Sequence, residues 1–240
     1  MSNVCVVVIA TNNYINFLNP LIISIKKFFL MNHNTNILLF TNHDSNMIKE
    51  LYNNNINIKT CYIEHKPWPL ITLLRYHAIK TKINYLKENF DYIFYCDVDM
   101  LLVDYVGDEI IPEFDTVVAT VHPGFWDKPK EYWTYESRQD SLAYTPIELG
   151  LFYVAGGFQG GTTDAFTKAA DIISSRIDDD LRKNLIALWH DESHWNHYVS
   201  VDLANKVKFL SPSYCYPETL ELPWQKKILA LNKDHKKIRS

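Results

Sequence analysis

Apolar residues recur along the first half of this chain in short runs, separated by longer stretches of helical spacing. Val4 to Ala10 is an unbroken apolar run that predicts the first strand. After a polar turn at Thr11 to Asn13, residues Phe17, Leu21, Ile22, Ile25 and Phe28 share one side of a helix, until Asn32 to Asn34 interrupts it. Ile37 to Phe40 predicts a second strand, Met47 to Leu51 a short helix, and Ile56 to Ile63 a third strand. Trp68-Pro69 then opens what reads as one long helix. Leu73, Tyr76, Ile79, Ile83 and Leu86 lie on its apolar side, and proline sits near the first turn, where its missing N–H costs little. The helix delivers the chain to a fourth strand, Asp91-Tyr92-Ile93-Phe94-Tyr95-Cys96. Strands alternating with helices predict an α/β fold with a mostly parallel sheet.

From Val117 the pattern changes. A strand at Val117 to Val121 runs into His122-Pro123-Gly124-Phe125-Trp126, and the next two dozen or so residues are aromatic and polar without a clear period. A loop this long inside a compact domain is usually functional. Phe152 to Phe158 returns to strand character and is followed by Gly160-Gly161, with a helix from Thr163 toward Ile177, another from near Asp191, and a last regular run at Lys208 to Leu210. No internal repeat or linker divides the chain, which predicts a single domain over 1–240.

Two clusters of chemistry stand out against this pattern. Asp97 and Asp99 close a strand rich in β-branched and aromatic residues, and such strands tolerate two nearby carboxylates poorly unless something cationic compensates them. Oxygen-only ligation suits Mn²⁺ or Mg²⁺, with open positions left for substrate phosphates. A bare DxD also fits a solvated turn; the strand in front of it favours the metal. The second cluster, Leu188-Trp189-His190-Asp191-Glu192-Ser193-His194, opens a helix, whose positive end favours ionised carboxylates. Asp191 as N-cap and Glu192 as a first-turn residue would be the plain structural explanation. Trp189 and His190 add stacking and hydrogen-bonding surface of the kind a sugar ring uses.

Composition sets the limits. A chain of 240 residues can bury roughly 70–75% of its unfolded surface, enough for an enzyme. Its net charge of −4 gives no global basic field for nucleic acid or an anionic membrane. Cys5, Cys61, Cys96 and Cys215 are far apart with no CxxC spacing and read as reduced core thiols. The start of the chain lacks a basic segment followed by a long apolar stretch, so neither a signal peptide nor a membrane anchor is expected.

The strings YCDVD, HPGF, TYE followed by Arg138, AGGFQGG, WHDES and LSPSYCYP, in this order, resemble glycosyltransferase family 6. This is the family of the histo-blood-group A and B transferases and the α-1,3-galactosyltransferases, with short bacterial and phage members. The resemblance runs from about Tyr14 to Pro223. It implies a GT-A fold in which a nucleotide-binding half (1–100) meets an acceptor and catalytic half (101–223) at the DxD, followed by a basic tail (224–240). It implies a retaining transfer of GalNAc or Gal from a UDP-sugar to the 3-hydroxyl of an acceptor galactose, giving an α linkage. The acceptor would be a galactose-terminated glycan, with or without fucose.

Carried over residue by residue, Asp97 and Asp99 match the carboxylates of the Mn²⁺ and diphosphate site. Tyr14 matches a uracil-stacking tyrosine and Arg75 an arginine on the donor sugar. Ala155, Gly156 and Gly157 match the donor pocket, and Asp191 a residue binding donor hydroxyls. Glu192 matches the glutamate on the reactive face of the sugar, and His122, Trp189 and His190 match positions near the acceptor or donor. Lys226, Lys227, Lys233, Lys236, Lys237 and Arg239 fit a tail that folds over the diphosphate, with a frayed basic terminus as the alternative. Gly157 and Gly124 match the positions that leave room for an N-acetyl group. Trp68, Trp133 and Trp195 are left as packing residues.

Some relatives replace both metal aspartates by asparagine, whereas this chain keeps them and is expected to need Mn²⁺. Mammalian members carry a membrane span and stem; this chain looks like the soluble microbial members, working in the cytoplasm of a microbe or phage-infected host. Pro217 replaces an acceptor-side aspartate of the mammalian pattern, which weakens any transfer of acceptor choice. Two alternatives remain: a nucleotide-sugar or glycan-binding module without efficient turnover, and a metal-dependent hydrolase, for which no further Asp/His cluster supplies a two-metal site.

Overall fold

In a computed structural model that describes residues 1–52, 57–234 and 238, the chain forms one large sheet with helices on both faces. The strands are β1 (Asn3–Ile9), β2 (Asn34–Thr41), β3 (Asn57–Tyr62), β4 (Tyr92–Cys96), β5 (Met100–Leu102), β6 (Val117–Val121), β7 (Val154–Thr162), β8 (Lys208–Leu210), β9 (Tyr216–Pro217) and β10 (Ile228–Ala230). The helices are α1 (Leu18–Phe28), α2 (Ser45–Tyr52), α3 (Leu70–Leu73), α4 (Arg75–Lys80), α5 (Ile83–Asn89), α6 (Thr163–Arg182) and α7 (His190–His197). The order β3-β2-β1-β4-β7-β6-β8 puts β4 in the middle of seven strands. Pairing within these seven is parallel except where β7 runs against β4 and β6, and β5, β10 and β9 form a separate small sheet. The arrangement is the mostly parallel α/β sheet the sequence predicts, and it fits a GT-A-like fold.

Alternation along β1 divides the interior. Val4, Val6 and Val8 point to the core under α1, while Cys5 and Val7 point to the core under α4, α6 and α7. Both faces are covered, which is why the strand reads as a continuous apolar run. Helix α6 is capped by Thr162, whose hydroxyl accepts from the Ala165 N–H at 3.3 Å, and it buries Phe166, Ala169, Ala170, Ile173 and Ile177. All four cysteines are buried free thiols, as expected.

Three expectations need correction. The single helix after Trp68-Pro69 is three short ones, because the backbone leaves helical geometry at Leu74 (ψ 14°) and at Lys82 (ψ 13°). The apolar spacing survived these breaks, since each piece still turns its greasy side to the sheet. Strand β7 does not stop at Phe158 but runs through Gly160 and Gly161 to Thr162. A Cβ at Gly160 would collide with the Ile93 carbonyl and one at Gly161 would fall 2.6 Å from the Thr116 carbonyl, so only glycine lets the strands come this close. The tail is not a loose terminus as far as Ala230: β10 pairs antiparallel with β5. Ile56, Lys236, Lys237 and Arg239 lie outside the described residues. Among the described residues no helix is long and apolar enough to cross a membrane.

Candidate active site

The end of β4 is where the chemistry gathers. A cavity of about 130 Å³ opens there, lined among others by Thr11, Tyr14, His65, Trp68, Tyr95, Asp97, Asp99 and Lys233. Tyr14 stands half-buried in the 3₁₀ turn after β1. Asp97 is tied to the sheet by its N–H to the Gly157 carbonyl at 2.9 Å, and its Oδ1 accepts from the Tyr95 hydroxyl at 2.8 Å and from Arg75 at 3.3 Å. Asp99 is 7% exposed and paired with the Lys233 ammonium, which also lies 5.5 Å from the Tyr14 ring centre. The tail reaches this point because the Leu231 N–H donates to the Asp99 carbonyl at 3.0 Å, one residue after β10.

Behind the cavity lies a second, drier cluster. Arg75 leaves α4 fully buried, with its guanidinium 4.3 Å from the Tyr95 ring centre and its Nε 2.7 Å from Asp191 Oδ2 at the start of α7. It also donates to the Gly156 carbonyl. Arg75 thereby touches Asp97, Asp191 and β7 at once. Burial works against its charge, but Asp191, Tyr95 and Asp97 more than offset this and keep it ionised. Burial pushes the Asp191 carboxyl up; Arg75 pulls against it, Asp97 and Glu192 push with it, and the result is a rise to about 7.

Glu192 follows on α7. Its Oε1 accepts from the Tyr153 hydroxyl at 3.0 Å and its Oε2 from the Gly156 N–H at 2.9 Å. Burial raises its pKa against the pull of those two hydrogen bonds and of Arg75. The helix is fixed independently by Asn196, whose amide exchanges two 2.8 Å bonds with the Val154 backbone. These arrangements exceed what an N-cap and a first-turn glutamate need: Trp189, not Asp191, is the N-cap, and Asp191 spends its carboxylate on Arg75.

On the far side of Glu192 stands an aromatic wall. The Tyr153 ring is 4.7 Å from Phe125 and 5.5 Å from His122. Burial lowers the His122 pKa to about 4, so the ring is neutral at working pH. Its Nδ1 accepts from the Gly124 N–H at 3.0 Å, which leaves the proton on Nε2 as a donor. A Cβ at Gly124 would come 3.1 Å from this ring. Trp189 is exposed, and His190, at φ 54°, packs edge-on to Trp68 at 5.0 Å.

The structure thus brings together Tyr14, Arg75, Asp97, Asp99, Gly156, Gly157, Asp191, Glu192 and Lys233, with His190 against Trp68 at the cavity edge, Trp189 exposed beside it, and His122 against the Tyr153 ring. Ala155 is 2% exposed and belongs to the core under α1. Lys226 and Lys227 turn elsewhere: Lys226 pairs with Glu221 and Lys227 with Glu109 and the Tyr105 carbonyl, so of the described tail lysines Lys233 alone reaches the cavity. Trp68 is 48% exposed and lines the cavity, where a packing residue was expected; Trp195 is fully buried and does pack. Its place just before the Arg75 helix was the available signal. Tyr95 and Tyr153, which hold Asp97 and Glu192, were hidden inside apolar runs.

The residues suit a hard cation at Asp97 and Asp99. Among the described residues no group of three or more His, Cys, Asp or Glu could hold a metal, so the candidate side-chain oxygens are those of this pair, which would leave positions open for other oxygen ligands. That Asp99 already attracts an ammonium shows a carboxylate seeking positive charge.

Comparison with known proteins turns this geometry into a family. The sequence model of glycosyltransferase family 6 matches residues 2–240. Histo-blood group ABO system transferase 1 of Rattus norvegicus is 30% identical over 243 aligned residues, which cover 97% of this chain and 67% of the rat protein. The O-antigen biosynthesis glycosyltransferase WbnI of Escherichia coli is 29% identical, with 88% of this chain and 86% of its own length aligned. Globoside alpha-1,3-N-acetylgalactosaminyltransferase 1 of Gallus gallus is 26% identical across 89% of this chain and 62% of that protein. Matched from its second residue to its last by the family pattern, the chain belongs to glycosyltransferase family 6.

Proposed function

We propose that the protein is a Mn²⁺-dependent retaining α-1,3-glycosyltransferase that moves GalNAc, in preference to Gal, from UDP to the 3-hydroxyl of a galactose-terminated glycan. The observation that carries the reading is Arg75: one buried guanidinium joins Asp97, on the cavity floor, to Asp191, next to Glu192. Charge for a leaving diphosphate and charge for the sugar are therefore held in one rigid unit.

In this reading Tyr14 takes the uracil face, and Lys233 leaves Asp99 for the diphosphate. A Mn²⁺ bound by Asp97 and Asp99 supplies positive charge against the leaving group. As the bond from the anomeric carbon to the phosphate oxygen breaks, Glu192 faces the cationic carbon. The acceptor oxygen bonds to that carbon on the side the diphosphate leaves, and its proton passes to the departing phosphate oxygen. Both Glu192 oxygens already accept hydrogen bonds, which favours electrostatic stabilisation over attack by the carboxylate. His122, neutral with its donor on Nε2, and the Trp189 face suit the acceptor sugar. Gly157 and Gly124 support the preference for GalNAc.

The test is incubation with UDP-GalNAc or UDP-Gal, Mn²⁺ and a panel of galactose-terminated glycans. Release of UDP together with an α-1,3-linked product, abolished by EDTA and restored by Mn²⁺, is the expected result. Binding of UDP without turnover on any acceptor would leave a binding module, and undiminished transfer in EDTA would remove the metal from the reading.

A further inference from the structure

The connection between β6 and β7 hides a carboxylate that the reaction above does not use. Glu136 is 2% exposed. Its Oε1 accepts from the Arg138 N–H and Nε, both at 2.9 Å, and its Oε2 from Arg138 Nη2 at 2.5 Å. The same Oε2 takes the Leu188 N–H at 2.7 Å, and Arg138 Nη2 donates to the Ile186 carbonyl, also at 2.7 Å. One Glu–Arg pair thus grips the backbone before α7 by a donor and by an acceptor. Trp189 and His190 come next, the latter held in the left-handed region at φ 54°. Burial opposes ionisation of Glu136, but the bonds from Arg138 and from the Arg138 and Leu188 N–H groups outweigh it and hold the carboxyl at about 2. A buried charge is expensive to keep, and this one is shared between Arg138 and the Leu188 N–H on the approach to Trp189 and His190. A second buried carboxylate, Asp180, pins the same loop from α6 through Ser141 and the Leu142 N–H.

We infer that Glu136, with Arg138, is a positioning residue that sets the Trp189–His190 rim for the acceptor sugar. The inference rests on the transferase reading. Its effect is separable from the donor side, because α7 has its own anchors: Asn196 on Val154, and Glu192 on Tyr153 and Gly156. Releasing the clamp frees the Leu188 N–H and the Ile186 carbonyl and lets His190 leave its strained conformation, while Arg75, Asp191 and Glu192 stay in place.

Partition of the donor sugar between acceptor and water reports this directly, since the ratio does not depend on how much enzyme is folded. With UDP-GalNAc, Mn²⁺ and methyl β-galactoside as acceptor probe, Glu136→Ala and Arg138→Met should lower the transfer-to-hydrolysis ratio about tenfold and raise the acceptor KM by a similar factor, the scale of a lost alignment. Donor KM and the hydrolysis rate should stay within about twofold of wild type. Glu136→Gln, which keeps an oxygen for the Leu188 N–H, should recover part of the ratio. Arg138 is exposed, so Arg138→Met keeps the test open if Glu136→Ala does not fold. An unchanged ratio in an active Arg138→Met enzyme, or equal losses of hydrolysis and transfer, would overturn the inference alone. A wild type that turns over neither UDP-GalNAc nor UDP-Gal, with or without acceptor, would overturn the transferase reading and this inference with it.

Discussion

The Arg75–Asp191 and Lys233–Asp99 pairs join the same kinds of charge, yet they are built for different fates. Each partner of the first is 5% exposed, and the guanidinium is held by Asp97, a β7 carbonyl and the Tyr95 ring as well. A pair this dry survives only when several partners repay its desolvation, which makes it rigid. The second lines the cavity, its side chains 21% and 10% exposed, and its lysine comes from a segment that has only just left β10. Such a contact can be exchanged for a better anion. The difference separates a fixed catalytic interior from a replaceable outer cation.

The strongest way to break this comparison is to remove charge from the interior without changing its shape. Glu192→Gln should lower transfer by at least about a hundredfold, the scale of losing an electrostatic catalytic group, while UDP still binds. Steady-state rates beside calorimetric UDP titration separate the two effects. A near-normal rate would reduce the inner cluster to scaffolding.

The outer pair should respond more mildly. Deleting Lys233 to Ser240 removes the ammonium but leaves β10 and the inner cluster intact, so kcat/KM for the UDP-sugar should fall about tenfold, as for a lost charge-assisted hydrogen bond. The acceptor KM should hold. Equal losses on both substrates would mean that the tail merely stabilises the fold.

The two regions were also unequally legible in the sequence. Asp97 and Asp99 could be found because carboxylates at the end of Tyr92-Ile93-Phe94-Tyr95-Cys96 violate the pattern around them, and Asp191-Glu192 because they open a helix. The partners that give these groups their meaning come from distant segments. Arg75 stood out only through the family resemblance, because nothing in its helical spacing shows that it lies buried between Asp97 and Asp191. Glu136 sat in a stretch with no period, and only the folded chain shows that this long loop is stapled by buried carboxylates. Lys226, Lys227 and Lys233 are alike in sequence; acids at Glu221 and Glu109 claim the first two. Periodicity reads what faces the sheet, and pairing across long separations leaves no period to read.

The smallest effect expected is on donor choice, and it lies where the two regions meet. Gly157 hands its carbonyl to the Asp97 N–H, and a Cβ there would collide with the Met100 methyl and fall 3.3 Å from Asp97 Oδ2 and 3.4 Å from Cys215 Sγ. The added methyl of Gly157→Ala can therefore act by two routes. Through Met100, whose flexible end must move, it narrows the space offered to the C2 substituent. Through Asp97 it disturbs the cation site. The first route penalises the N-acetyl group alone and should shift the GalNAc-to-Gal ratio of kcat/KM toward Gal by about fivefold, at the low end of what one methyl group can discriminate. The second would lower both donors together and raise the Mn²⁺ concentration needed for half-maximal rate. Because the end of a methionine yields more easily than a carboxylate fixed by Tyr95 and Arg75, the first outcome is expected. Measuring both donors across a Mn²⁺ series in wild type and variant decides the route, and a wild-type preference for UDP-Gal would remove the glycine argument altogether.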